Sequence, residues 1–241
     1  MSKYKCLFLL LIFKQTTVFH FDKQSIYINN ISDLGTTISS ISDEYWHLYK
    51  ILGNKIHTVI DVGANIGQFA IAVRTWYPKA TIQSYEADIK TYEDLKRNTR
   101  DNDIGTHNLA VADIEGELNF YRAPISVTSS LIQTSSNQEC IKVKAVTLDS
   151  VTDNLDKIDL LKIVVEGAEL KVLKGARKTL VKTKFLLLEI SFLRETEGVS
   201  NLDVLNEIHT VCKKARIIHT GRKLGWREDI SAQDFLIQLN D

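Results

Sequence analysis

Four acidic side chains and one lysine interrupt apolar runs of this chain at places where a ligand can meet them. Asp61 lies inside Thr58-Val-Ile-Asp-Val62, a β-branched run that breaks at Gly63 and continues through Asn65 and Gly67. Glu86 closes the next strand-like stretch, residues 81–86; Lys162 sits within the run 158–165, with Glu166 at its tip, and Glu189 lies inside residues 185–191. A carboxylate accepts hydrogen bonds at two oxygens, so Glu86 suits a pair of ribose hydroxyls. A carboxylate beside a hydroxyl can also take its proton as a bond forms at the oxygen, which is the role expected of Glu166. A carboxylate in a buried strand is costly unless paired or facing a cavity. Lys162 on the neighbouring strand is therefore the expected partner of Glu189, either within a site or as a purely structural ion pair.

The elements that position these groups follow from the spacing. After Gly67 the apolar residues Phe69, Ala72, Val73 and Trp76 recur at helical intervals, so residues 58–76 read as strand, tight loop, helix. Gly63 and Gly67 permit unusual backbone angles and close approach of a cofactor, and the free N–H groups of the helix start face the loop. Residues 81–86 form the next strand and 90–100 the next helix. Strand, glycine loop, helix, strand and terminal acid are common to sheets that bind NAD and sheets that bind S-adenosylmethionine. The spelling here is D-x-G-x-x-x-G, with Asn65 where the dinucleotide fingerprint has its middle glycine and no third glycine after it. This favours S-adenosylmethionine and leaves an NAD-dependent oxidoreductase as the rival.

Further along, residues 105–111 read as a third parallel strand ending at Asp113, a candidate for the cofactor's adenine amino group or else a turn aspartate. Residues 117–121 and 141–146 alternate as half-exposed strands around a long polar connection, residues 123–138, where part of the substrate pocket is expected. The run 158–165 has the near-continuous apolar character of a strand covered on both faces. A helix over 169–180, a fifth strand at 185–191, a helix at 201–212 and strands at 216–219 and 234–239 complete the pattern, the last two closing as a hairpin around residues 221–225.

Composition narrows the classes. The chain has 241 residues, with 30 Lys plus Arg against 30 Asp plus Glu, which argues against a dedicated nucleic-acid binder. Cys6, Cys140 and Cys212 are odd in number and widely spaced, so a reducing cytoplasm is expected. No metal motif is present; His209 and Cys212, one turn apart, read as a helix surface pair. Residues 1–55 read as an N-terminal helical or irregular extension and 56–241 as one domain. The apolar run 6–13 is far short of the roughly 20 residues that span a bilayer. It follows Lys3 and Lys5 but lacks an A-x-A-like cleavage site, so packing on the domain or peripheral contact with a membrane surface is expected of it. Residues 19–31 suggest a strand or hairpin and 42–52 a helix leading into the first strand. Nothing in the pattern sets an oligomeric state.

Taken together, Val59-Ile-Asp-Val-Gly-Ala-Asn-Ile-Gly-Gln-Phe69, Tyr85-Glu-Ala-Asp88, Val146-Thr-Leu-Asp149, Leu160-Leu-Lys-Ile-Val-Val-Glu-Gly-Ala-Glu169 and Val172-Leu-Lys-Gly-Ala176 resemble the FkbM-type S-adenosylmethionine-dependent methyltransferases. The resemblance covers about residues 57–195. It implies an α/β, Rossmann-like class I fold with a seven-stranded, mostly parallel sheet of order 3-2-1-4-5-7-6 and helices on both faces. It also implies O-methylation of a hydroxyl on a sugar, glycan or natural product. The first motif (Asp61, Gly63, Asn65, Gly67) would cradle the cofactor's amino-acid part, and Glu86 would clamp its ribose. One position departs: the family reads K-I-D-V-E-G-A-E where this chain has Val164. That leaves Lys162, Glu166 and Glu189 as the polar candidates for the chemistry, and a non-catalytic S-adenosylmethionine-binding protein as an alternative.

Overall fold

The computed structural model describes residues 17–21, 24–29, 33–34, 37, 45–123, 129–133, 136–191, 199–226 and 229–240. The apolar run 6–13 lies outside the described residues. The main sheet contains β3 (Thr58–Val62), β4 (Thr81–Tyr85), β5 (Gly105–His107), β9 (Ile158–Ile163), β10 (Thr183–Ser191), β11 (Arg216–Trp226) and β12 (Asp229–Gln238). Its order is β5-β4-β3-β9-β10-β12-β11, with the first five strands parallel and β12 and β11 antiparallel to their neighbours. These chain-order labels differ from the expected numbers because five other strands interrupt the count; numbered within this sheet alone, the strands run 3-2-1-4-5-7-6.

All six residues of β9 are buried, as befits a central parallel strand. On one face Val59, Leu160, Leu187 and Leu236 pack beneath α2 (Gln68–Trp76). The opposite face sets Ile60, Leu161, Ile163 and Leu188 against α5 (Glu169–Lys174), α6 (Arg177–Val181) and α7 (Asn201–Val211). Period-two alternation along each strand thus divides one sheet between two cores.

The expectation of a helical or irregular extension does not hold for residues 17–21 and 24–28, where the hairpin suggested over 19–31 forms. Strands β1 (Thr17–Phe21) and β2 (Gln24–Ile28) form a hairpin that places Ile26 and Ile28, both fully buried, in the same core as Val59 and Leu160. Burying each such side chain contributes roughly 1.5–3 kcal/mol. The hairpin is fixed by Asn98 of α3 (Ile89–Thr99), whose amide accepts from the Tyr27 N–H and donates to the carbonyls of Tyr27 and Ile66. Helix α1 (Tyr45–Leu52) then leads into β3.

Three other expectations are corrected. The third strand stops at His107, and β6 (Ala110–Val111) belongs to a second sheet with β8 (Glu139–Val146) and β7 (Gly116–Arg122). The chain leaves the main sheet at Asn108, whose side-chain amide donates to the carbonyls of Glu86 and Ala87. The helix expected over 169–180 is two helices, α5 and α6, separated by Gly175 and Ala176, and Gly175 lies so close to the Ala112 carbonyl oxygen that a Cβ there would stand 2.0 Å from it. Residues 221–225, expected as a turn, lie inside β11, whose pairing with β12 shifts register between Thr220 and Lys223.

Candidate active site

The loop after β3 holds three residues in the left-handed region: Gly63 at φ 73°, Asn65 at 50° and Gly67 at 96°. Only glycine adopts such angles freely, with asparagine the next most tolerant. The close approaches at the glycines are to the protein itself. A Cβ on Gly63 would stand 1.9 Å from the Val164 carbonyl oxygen, and one on Gly67 would stand 3.0 Å from Leu95 Cδ1 and 3.2 Å from Thr99 Cγ2. Gly63 therefore lets the loop lie against the tip of β9, and Gly67 lets α2 start against α3.

Glu86, at the end of β4, is 8% exposed and points back into this loop. Its Oε2 accepts the Asn65 N–H at 2.9 Å and its Oε1 the Asp88 N–H at 3.0 Å. Burial pushes its carboxyl up to about 7, against the backbone donors of Asp88 and Asn65 and the charge of Lys162, all of which favour ionisation. A carboxylate offers about four acceptor positions, so two remain for a ligand's hydroxyls. The free lone pairs, the burial and the adjoining loop fit a ribose. Asn65 puts a side chain, bonded through Oδ1 to the Ile66 N–H at 2.7 Å, where a dinucleotide loop needs glycine for the pyrophosphate.

Lys162 does not pair with Glu189. Its Nζ donates to Asp61 Oδ1 at 2.9 Å and to the Gly63 carbonyl at 3.0 Å, and it lies 5.6 Å from the centre of the Phe69 ring. Asp61 and Lys162 are register partners on β3 and β9, so their side chains meet on one face. Both are buried, the lysine side chain 6% exposed and the aspartate 0%. This pair holds the floor of the glycine loop. Glu189 lies farther along that face, opposite Asp234 on β12, with both carboxylates buried.

Glu166 occupies the left-handed region at φ 57°, followed by Gly167 at 101°, and is half-buried at the end of the fourth strand. A non-glycine residue there is uncommon, and such positions concentrate at functional sites. Val164, where the family has an acid, uses its N–H on the Val62 carbonyl at 3.1 Å and keeps its side chain half-buried. The polar connection after β7 reaches this tip: Ser130 is 1% exposed and its hydroxyl donates to the Val165 carbonyl at 3.1 Å.

Asp113 is not at the end of the third strand. It follows β6, is exposed, and has its Cα 3.1 Å from where a Cβ of Gly175 would stand. The residue that follows the third strand beside Glu86 is Asn108, which sequence reasoning missed because nothing local distinguishes it from a turn asparagine. Asp149, in α4 (Leu148–Val151) and quoted above only as part of a motif, caps α6: it accepts from the N–H groups of Lys178 and Thr179 and from the Thr179 hydroxyl. Arg122 was also missed; it pairs with Asp88 and Glu139. Cys212 is buried against Leu180, while His209 is exposed, so they are not a surface pair. A groove of about 540 Å³ lined by Arg74, Lys79, Thr81, Lys96 and Gly105 lies at the opposite end of β4 and β5, away from Glu86. No helix among the described residues is long and apolar enough to cross a membrane.

The chain is 29% identical over 147 residues to the hexuronic acid methyltransferase AglP of Haloferax volcanii, covering 59% of this chain and 59% of that protein. It is 29% identical over 153 residues to methyltransferase sdnD of Sordaria araneosa, covering 48% of this chain and 59% of that one. The chain thus matches less than two thirds of the length of these relatives. Its fold is like that of magnesium protoporphyrin IX methyltransferase from Synechocystis PCC 6803, with a TM-score of 0.51 at 10% identity over 87% of this chain and 81% of that one. The family model of the methyltransferase FkbM domain matches residues 61–216, which include Asp61, the glycine loop, Glu86 and the whole of β9 and β10. With that match over more than half its length, the chain belongs to the FkbM methyltransferase domain family.

Proposed function

We propose that this chain is an S-adenosylmethionine-dependent O-methyltransferase acting on a hydroxyl of a sugar, glycan or natural product. The observation that carries the reading is Glu86: a buried carboxylate at the end of the second strand, held by Asn65 and Asp88 and keeping two acceptor positions free. When bound, the cofactor supplies a methyl group already activated on a sulfonium. Glu86 binds the ribose hydroxyls, and the loop from Gly63 to Gly67 holds the amino-acid part. Lys162, engaged with Asp61 and Gly63, keeps that loop in place. The remaining work is alignment of the acceptor oxygen and exclusion of water. Glu166 accepts the hydroxyl proton, and Glu189, buried on the Lys162 face, helps to shape the acceptor side.

The relative named as a hexuronic acid methyltransferase supports a sugar acceptor. We assign the methyltransferase domain to residues 56–241, with residues 1–55 as an extension whose Ile26 and Ile28 complete its core. A cytoplasmic location is supported by the free Cys140 and Cys212. Peripheral membrane contact through residues 6–13 remains part of this reading.

The test is transfer of labelled methyl from S-adenosylmethionine to a panel of uronic-acid-containing glycans and other polyols. The expected product is a methyl ether, stable to mild alkali; an alkali-labile methyl ester would overturn the hydroxyl assignment. Glu166→Gln is expected to lower turnover about 10²–10⁴-fold while cofactor still binds. A half-buried Val164 in place of the family's acid favours a second reading, a non-catalytic S-adenosylmethionine-binding protein. Turnover appearing only in Val164→Asp would select it.

A further inference from the structure

Glu86 is oriented by more than its own contacts. One of its oxygens is held by the Asp88 N–H, and the position of that N–H depends on how the Asp88 peptide is held. Asp88 caps α3 by accepting from the Lys90 N–H at 3.0 Å. Both its carboxylate oxygens are also taken by one guanidinium: Arg122 Nε donates to Oδ2 at 2.8 Å and Nη2 to Oδ1 at 2.5 Å. Such a two-bond fork fixes orientation as well as distance. The pair is withdrawn from water, with side chains 13% and 5% exposed. Buried ion pairs add little net stability, so the fixed geometry is their more telling consequence.

Arg122 is itself anchored. It ends β7, and its third nitrogen, Nη1, donates to Glu139 Oε2 at 2.7 Å across the register pair that joins β7 to β8. Next to it, the Ala123 N–H donates to Ser129 Oγ, and Ser130 exchanges two backbone bonds with Tyr121 while its hydroxyl reaches Val165. The second sheet therefore touches the site at two points, the turn after Glu86 and the tip of the fourth strand. Leu131 and Ala87 pack on the same small apolar cluster, which closes the first of these contacts.

We propose that Arg122 is a positioning residue for cofactor binding: through the Arg122–Asp88 fork the second sheet sets the Asp88 N–H, and with it the orientation of the Glu86 carboxylate toward the ribose. The proposal rests on the S-adenosylmethionine reading of the site. It assigns the second sheet a task beyond packing, that of holding the ribose-binding corner and the fourth-strand tip in fixed relation.

The test is a double-mutant cycle read by calorimetric titration with S-adenosylhomocysteine, using the wild type, Arg122→Gln, Glu86→Gln and the double variant, each checked for a cooperative unfolding transition above the titration temperature. Arg122→Gln is expected to weaken binding about ten-fold, the lower end of what losing an orienting partner costs at metal sites. In the Glu86→Gln background the same change is expected to alter affinity less than about two-fold, because the group it positions is gone. Equal weakening in both backgrounds, or none in the wild type, overturns the proposal. If Arg122→Gln does not fold, Arg122→Lys keeps the charge but not the fork and is expected to bind with intermediate affinity; wild-type affinity in that variant also overturns it. Failure of the wild type to bind at all refutes the cofactor reading itself, which is a separate outcome.

Discussion

Lowering the pH from 8 to 6 should weaken binding of S-adenosylhomocysteine about ten-fold through one side chain, Glu86. Burial holds its carboxyl at about 7, and only the ionised form accepts two ribose hydroxyls while keeping the Asn65 and Asp88 N–H bonds. The ionised fraction is roughly nine tenths at pH 8, half at pH 7 and one tenth at pH 6. Apparent affinity scales with the competent fraction, which gives the ten-fold loss, about 1.4 kcal/mol. The assay is calorimetric titration at the three pH values, repeated in buffers of different ionisation heat so that proton release on binding is counted. Glu86→Gln removes the titration, and the difference between the two profiles removes any contribution from the ligand's own amino group. A wild-type profile parallel to that of Glu86→Gln between pH 6 and 8 refutes the reasoning. Stability of the free protein carries the opposite sense. Glu86 has a folded value above its ordinary 4.5, so its contribution is a stabilisation complete below 4.5 and lost as pH rises through about 7. Relative to Glu86→Gln, the wild type should lose about 3 kcal/mol over that range in urea unfolding.

Lys162→Met leaves the buried Asp61 without its cation and should cost about 3–5 kcal/mol in urea unfolding; Asp61→Asn combined with Lys162→Met should recover much of it. A loss under about 1 kcal/mol would show that the pair is not what holds the loop. Gly63→Ala places a methyl group against the Val164 carbonyl, so unfolding should cost about 1–3 kcal/mol or more and cofactor binding should fall with it. Wild-type stability in that variant would mean the β9 tip can yield. Ser130→Ala removes the one side-chain bond described between the second sheet and Val165 and should cost about 0.5–1.5 kcal/mol, read by thermal unfolding.

Where a local pattern carries the physics, the sequence could be read directly. The near-continuous apolar run around Lys162 marks a strand covered on both faces, and Asp61-Val-Gly63 with Gly67 marks a strand passing into a loop and helix. Glu86 stands out in the sequence because a carboxylate closes the strand that follows the glycine loop and helix, where NAD- and S-adenosylmethionine-binding sheets alike hold the ribose. Contacts set by register were hidden. Lys162 and Asp61 lie 101 residues apart in sequence, so choosing Asp61 over Glu189 requires knowing which strand β9 neighbours and in what phase. The break at Gly175 was hidden because Leu170, Leu173 and Ala176 continue one apolar stripe across it, and the Ala112 carbonyl that requires a glycine there comes from another element. Asn108 and Arg122 act on backbone and carboxylate groups 21 to 34 residues away in sequence, which no local spacing encodes.

Isothermal titration of the purified chain with S-adenosylmethionine, S-adenosylhomocysteine and NAD tests the central claim most directly. The first two should bind saturably, more weakly in Glu86→Ala with the fold retained, and NAD should not bind. Binding of NAD, or equal affinity for S-adenosylhomocysteine with and without the Glu86 carboxylate, would contradict it.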